Sequence, residues 1–363
     1  MKEIAVLHID PDPGWRGGQQ QAFYLHQGML ARGLKSGFVC NPGSELARRM
    51  HQHQLCYHTI RHHFEADLIA AIRLAAYARK VGYNVLHLHS SHALSWGIMA
   101  KLLYPPLKLV ATRRVNVPIS NNILSRLKYK SRLLRAIVAI SEATRKLMLA
   151  DGIPPSKIHK IPSGVDLERF KGIMPPEDFR AKWSVPQRAI LVGTIAALVP
   201  PKDYPNFINA AFLAAQRNPS LHFMIVGDGE LMPKMQGMAR DLGLEGRLTF
   251  CGFQSDIGIF LQAFDIFVMA SRREGLGTAV LDAMSVGLPV IGTRAGGISE
   301  TIVEGESGLL VEVKNSQALA SAILRLAGDE SLRKSLGYGA LERVKAFRKE
   351  QMVEANIRLY ESL

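Results

Sequence analysis

The sequence predicts an α/β fold built as two open, doubly wound parallel sheets in series, and three observations carry that prediction. Apolar, β-branched runs of four to seven residues alternate with longer stretches of helical spacing, the mark of repeated βαβ units. Twelve such strand candidates occur with a break near the middle, which does not fit one closed eight-stranded barrel. The 363-residue length also exceeds what one hydrophobic core ordinarily supports. Apolar residues at 47% and charged residues at 21% are an ordinary globular balance, which excludes extensive disorder.

The elements follow in order. The first strand candidate, 4–9, is the apolar run Ile-Ala-Val-Leu-His-Ile, and 19–32 after it keeps helical spacing. Strands at 36–40, 85–89, 108–112, 136–140 and 157–161 complete the first half, with a helix at 141–150. The second half offers strands at 189–194, 222–226, 248–251, 266–269, 289–292 and 308–311. Helical stretches at 204–218, 231–242, 277–286 and 316–327 separate them. The break is Ile161-Pro162-Ser163-Gly164-Val165-Asp166, followed by the Pro-rich, mixed-charge Met174-Pro175-Pro176-Glu177-Asp178. A charged helical pattern over 332–363 is long enough to cross between domains.

Charge divides unevenly. Residues 1–170 hold 24 Lys/Arg against 10 Asp/Glu, whereas 171–363 hold 21 of each, so the formal +14 belongs to the first half. Eleven of the twelve histidines lie there too. The basic half is expected to meet something anionic: a membrane surface, an anionic acceptor or a nucleic acid. A solvated basic face with no dedicated partner is the competing reading. No apolar run approaches the ~20 residues that span a bilayer, and Met1 leads directly into a strand without a signal-peptide pattern. Cys40, Cys56 and Cys251 are too few and scattered for a disulfide framework or zinc site, so a cytoplasmic, metal-free protein is expected.

Four loops could carry chemistry. After the first strand, Pro13-Gly14-Trp15-Arg16-Gly17-Gly18-Gln19 opens a helix with glycines that let backbone N–H groups approach an anion; a simple tight turn explains it equally. It is neither G-x-G-x-x-G nor a P-loop. The segment Ser271-Arg272-Arg273-Glu274-Gly275-Leu276-Gly277-Thr278 leaves a strand and starts a helix that bears Asp282 on its second turn. Amides near Gly277 and Thr278 suit an anion, and the two carboxylates suit hydroxyl groups. Helix-start and solvated-helix positions are the bland alternatives for Glu274 and Asp282. Lys202 stands alone at a helix start after the 189–194 strand, where lysine meets phosphate as a point charge or is simply exposed. Val226-Gly227-Asp228-Gly229-Glu230 reads as a strand-to-helix turn.

Order and spacing together resemble the retaining glycosyltransferases of family 4, which have the GT-B architecture of two facing Rossmann-like domains. The resemblance covers nearly the whole chain. It rests on Glu274-x7-Asp282 with Gly287-Leu288-Pro289-Val290-Ile291, on Ala295-Gly296-Gly297-Ile298-Ser299-Glu300, and on Glu304-Gly305-Glu306-Ser307-Gly308-Leu309-Leu310-Val311. Ile161-Pro162-Ser163-Gly164-Val165-Asp166, Arg16-Gly17-Gly18-Gln19 and Ala139-Ile140-Ser141-Glu142 match as well. It implies an acceptor domain at 1–165, with 345–363 crossing back to it, and a nucleotide-sugar domain at 166–344. It also implies Glu274 on the donor sugar hydroxyls and Asp282 on the ribose. Lys202 would offset diphosphate charge, with amides near Gly277–Thr278 and with Gly17–Gly18 reaching across the cleft. Gly252 and Phe253 would line the base pocket. The donor would be UDP- or GDP-linked and no metal would be required.

Three departures stand out. Asp282 replaces the usual Glu, Ala197 stands where many members have Arg, and Arg113-Arg114 replaces a frequent His. Either arginine could face the diphosphate or an anionic acceptor. His89 and His92, near the presumed cleft, are candidates for function or for packing.

The leading expectation is a hexosyl-type transferase that extends lipopolysaccharide or another surface glycan on a glycan or lipid-linked acceptor. It would sit peripherally on the cytoplasmic face of the inner membrane, drawn by anionic lipid to the apolar and basic stretches 101–107 and 123–137. A GT-B epimerase or phosphorylase is the alternative within enzymes, against which the Glu274-x7-Asp282 pattern argues. A basic nucleic-acid-binding protein is the alternative outside them, and at 7% aromatic content the chain offers no stacking platform for one.

Overall fold

The computed structural model describes residues 4–61, 64, 67–115, 117–119 and 123–363. The chain forms two compact units, Met1–Gly164 with Lys349–Leu363, and Val165–Arg348. Both are the predicted α/β type.

The first unit holds a seven-stranded parallel sheet of β1 (Ala5–Asp10), β2 (Lys35–Cys40), β3 (His58–Thr59), β4 (Val85–Leu88), β5 (Lys108–Arg113), β6 (Leu134–Ala139) and β7 (Ile158–Lys160). Their spatial order is β3-β2-β1-β4-β5-β6-β7, so the winding reverses between β1 and β4. Ligands of open parallel sheets bind beyond the carboxyl ends of the strands at such a reversal. Side chains alternate across the sheet. Ala5, Leu7, Ile9, Leu86 and Leu88 enter one core, and Val6, Val85, Val110 and Val138 enter the other. His8 and His87 share the parity of Val6 and Val85, so they point into the second core. That core is covered by the helix Gly17–Leu30 and the C-terminal helix Lys349–Glu361, which contributes Met352, Val353, Leu359 and Tyr360.

The second unit holds a six-stranded parallel sheet of β8 (Ile190–Ile195), β9 (Leu221–Val226), β10 (Leu248–Phe250), β11 (Ile266–Met269), β12 (Val290–Thr293) and β13 (Leu309–Val311). Its order, β10-β9-β8-β11-β12-β13, places the reversal between β8 and β11.

Two elements differ from the expectation. The charged pattern over 332–363 is not one helix: Glu330–Val344 ends in a tight turn at Lys345–Phe347, and Lys349–Glu361 begins anew. No Gly or Pro announces this break. Tertiary pairing makes it, because the Val165 amide donates to the Phe347 carbonyl at 2.7 Å and Arg348, in extended conformation, bridges Val165. The second is β3, two exposed residues at the sheet edge, too short to leave a hydropathy pattern.

Candidate active site

In the second unit, the loops after β8 and β11 meet at the winding reversal. The β8 loop ends in a short turn, Pro200–Lys202, and Asp203 takes a left-handed φ of 51° before the helix Tyr204–Arg217. The β11 loop is tied to that turn by the Arg272 amide, which donates to the Pro201 carbonyl at 2.9 Å. Lys202 Nζ is thereby brought onto Glu274 Oε2 in a close charge-assisted hydrogen bond. Ser271 Oγ donates to the same carboxylate oxygen at 3.2 Å. Both side chains are largely shielded, 22% exposed for Lys202 and 16% for Glu274, so the pair is stronger than a surface ion pair. A substrate that engages either group must take over the other's role.

Glu274 is further held from below. Its carbonyl accepts the Gly297 amide at 3.3 Å, and a Cβ on Gly297 would come within 2.2 Å of the Gly275 carbonyl oxygen. Only glycine allows the Ala295-Gly296-Gly297 loop to pack this closely. Gly277, at φ 86°, starts the helix Thr278–Ser285, and no side chain caps its first turn. A positive dipole end with uncapped amides therefore lies beside Glu274, whose Cγ would be 3.7 Å from a Cβ on Gly277.

Asp282, on the second turn of that helix, is largely shielded, its side chain 15% exposed. Its Oδ2 lies 3.5 Å from Arg169 Nη1. Burial raises its pKa to about 6, Arg169 opposes the rise, and Asp166 adds to it. Gly252 and Phe253 lie just past the end of β10. The Gly252 carbonyl accepts the Gly227 amide at 2.8 Å, and the Phe253 ring stands 66% exposed with large apolar area free. Sequence reasoning missed Ser271 and Arg169. The signal for Arg169 lay in Asp166-Leu167-Glu168-Arg169, which reads as linker; nothing marked Ser271.

In the first unit, Gly17 and Gly18 occupy the first turn of the helix Gly17–Leu30. The Arg16 amide donates to Gln19 Oε1 at 3.1 Å, and Gln19 Nε2 donates to Asp10 Oδ2 at 3.2 Å. This ties the glycine loop to the end of β1. Arg114, past the end of β5, runs alongside: a Cβ on Gly18 would lie 3.2 Å from Arg114 Cδ. Arg114 Nη2 donates to His89 Nδ1 at 3.0 Å. Burial lowers the Arg114 pKa to about 10, which leaves it charged at neutral pH, and lifts Asp10 to about 7, helped by Asp12.

Arg113 is not part of this group. Strand alternation sends it to the opposite face, under the Tyr129 ring at 5.0 Å, where it donates to the Val117 carbonyl. His92 Nδ1 pairs with Asp12 Oδ1 at 2.9 Å near the same loop. Within each unit, then, the structure brings Lys202 together with Glu274, and Arg114 together with Gly18.

Comparison with known proteins supplies the family. Residues 15–169 match the Glycosyltransferase Family 4 model, and residues 176–343 match the Glycosyl transferases group 1 model. The lipopolysaccharide core biosynthesis glycosyltransferase LpsE of Rhizobium meliloti is 35% identical over 50% of this chain and 53% of its own. The Escherichia coli UDP-Gal:alpha-D-GlcNAc-diphosphoundecaprenol alpha-1,3-galactosyltransferase is 29% identical over 73% of this chain and 72% of its own. The chain thus spans about half the length of LpsE. The Anabaena protein HepE, solved in complex with UDP-glucose, superposes with a TM-score of 0.87 at 20% identity, covering 99% of this chain and 100% of that one. Two parallel Rossmann-like sheets, matched in both halves by glycosyltransferase models, establish that the chain belongs to the family 4 glycosyltransferases of GT-B architecture.

Proposed function

We propose that the protein transfers a hexosyl group, with retention, from a nucleotide-sugar donor to a glycan or lipid-linked acceptor in the synthesis of lipopolysaccharide or another surface polysaccharide. The observation that carries this is the shielded Lys202–Glu274 pair beside the uncapped helix start at Gly277, a cation and an anion poised for the two ends of a sugar diphosphate. Glu274 accepts hydrogen bonds from the sugar hydroxyls, and Asp282 accepts them from the ribose. Lys202 and the Gly277–Thr278 amides offset the charge that grows on the departing diphosphate, the step that dominates such a transfer. Gly252 and Phe253 flank the base. In the first unit, Arg114 with Gly17 and Gly18 offers positive charge to an anionic group. The leaving phosphate takes the acceptor's proton on the face it departs from, with no divalent ion. Uracil is the favoured base, since HepE, the similar structure, was solved with UDP-glucose.

The acceptor side is read from the basic first unit. Leu102 and Leu103 end the helix Ser91–Leu103, and Ile123 and Leu127 lie on the helix Ile123–Lys130; all four are exposed. Lys128 Nζ donates to Ser91 Oγ at 2.8 Å, which joins the two helices. Ile123, Arg126, Leu127, Lys130 and Ser131 line an open cavity of about 370 Å³. Apolar and cationic groups on one face suit an anionic membrane at the cytoplasmic side. Among the described residues, no helix is long and apolar enough to cross a membrane.

A thermal-shift panel of UDP-, GDP-, ADP- and CMP-sugars identifies the base by the nucleotide that raises the midpoint. Glu274→Ala is expected to abolish transfer from that donor. Unchanged turnover by this variant would refute the site assignment.

A further inference from the structure

Behind Arg114, under the C-terminal helix, lies a buried histidine group that the transfer chemistry above does not use. His8 Nδ1 lies 3.1 Å from His89 Nε2. The His87 ring stacks on His89 with centroids 4.2 Å apart. His87 itself is fixed at both nitrogens, by Tyr360 Oη at 2.5 Å and Thr112 Oγ1 at 2.6 Å. All three imidazoles are buried, and burial is the first cause holding each below the usual histidine range, so they are neutral at pH 7.

Donor and acceptor chemistry then assigns every proton along the chain. A guanidinium only donates, so His89 Nδ1, 3.0 Å from Arg114 Nη2, must present its lone pair. Neutral His89 therefore carries its proton on Nε2 and donates it to His8 Nδ1. His8 in turn carries its proton on Nε2, which is buried with no partner among the described residues. An unpaired buried N–H is costly and calls for an explanation. Fixing the direction of the two preceding hydrogen bonds supplies one.

We propose that His89, backed by His8, is the positioning residue for Arg114: one tautomer of a neutral imidazole chain aims the guanidinium along the Gly17–Gly18 loop. The inference rests on the reading of Arg114 as an anion-binding group. A cation shared by His8, His87 and His89, whose ligand atoms lie within 4.8 Å of one another, is the competing occupant. Such an ion would compete for the lone pairs to which Arg114 and His89 now donate.

Two measurements on the full chain test it. In long-range 1H–15N spectra of histidine-labelled protein, His89 and His8 should both appear as Nε2–H tautomers. UDP and, in parallel, GDP then probe the anion site by titration calorimetry. His89→Gln places an amide near the Nε2 position and loses the acceptor for Arg114, and nucleotide affinity should fall roughly 10- to 100-fold. His89→Asn keeps an acceptor near the Nδ1 position and should recover most of that loss, although both variants sacrifice the same ring packing. Combined with Arg114→Gln, neither His89 variant should weaken binding further. Equal losses in the two His89 variants, an Nδ1–H tautomer at His89, or stoichiometric metal in the purified protein would each overturn the proposal. If Arg114→Gln alone binds both nucleotides as the parent does, the anion-site reading fails, and the tautomers by themselves decide whether His89 orients Arg114.

Discussion

Replacing Arg169 with Gln should move the pH dependence of nucleotide binding upward. Asp282 titrates at about 6 in the folded protein, raised by burial and restrained by Arg169 at 3.5 Å. Opposite charges at that separation interact by roughly 4–5 kcal/mol at an effective dielectric of 20. Desolvation of the guanidinium consumes much of this, which leaves about 1–3 kcal/mol of preference for the ionised carboxylate. Each 1.4 kcal/mol corresponds to about tenfold in a protonation equilibrium. In the Arg169→Gln protein, Asp282 therefore titrates near or above neutrality. In the ribose-binding role proposed for Asp282, the ionised form would accept the hydroxyls and the protonated form would give up an acceptor, so affinity is expected to fall as pH drops through the titration. Calorimetric titration of UDP between pH 5 and 9 should show the parent losing affinity around pH 6 and the variant losing it about one pH unit or more higher. Coincident profiles would refute the coupling. The stability sign runs the other way. A raised carboxyl pKa means that the native state binds more protons than the unfolded chain between about 4 and 6. Through this residue alone, stability rises as pH falls across that window, and Asp282→Asn should raise the thermal midpoint at pH 7 while weakening UDP binding.

Three further outcomes follow from other contacts. Lys202→Met, which strands the shielded Glu274 carboxylate, should lower stability by about 1–3 kcal/mol, read as a lower thermal midpoint; an unchanged midpoint would place the pair in free solvent. Tyr360→Phe removes one of the two partners of His87 and should cost about 1 kcal/mol, a drop of a few degrees in the thermal midpoint; no loss would mean that the C-terminal helix is held by apolar packing alone. Serine at Leu102, Leu103, Ile123 and Leu127 together should abolish flotation with phosphatidylglycerol vesicles and leave neutral-vesicle behaviour unchanged; parent binding should weaken between low salt and 0.5 M salt, and equal binding to both vesicle types would end the membrane proposal.

Much of the fold was legible because both sheets are parallel and covered on both faces. Strands such as Leu221–Val226 are fully buried and read as continuous apolar runs. The helix break at Lys345–Arg348 and the two-residue β3 were not legible, since the first is set by pairing with Val165 and the second is too short for a period. Of the site, Glu274, Lys202, Gly277 and Asp282 were nameable from loop position and resemblance. Their pairings were not: 72 residues separate Lys202 from Glu274, and Asp282 finds its cation in a segment that reads as linker.

Arg113 and Arg114 mark the boundary between the two kinds of information. The sequence by itself determines that two arginines follow a buried strand in a basic half, and that adjacent strand-end residues face opposite ways. Which of them joins the glycine loop is decided by tertiary structure alone. Tyr129 and the Val117 carbonyl claim Arg113, whereas the imidazole chain claims Arg114. Local periodicity encodes direction along one element. Hydrogen-bond partners from β1, β4 and a C-terminal helix 273 residues from His87 are assembled only when burial makes an unpaired donor costly.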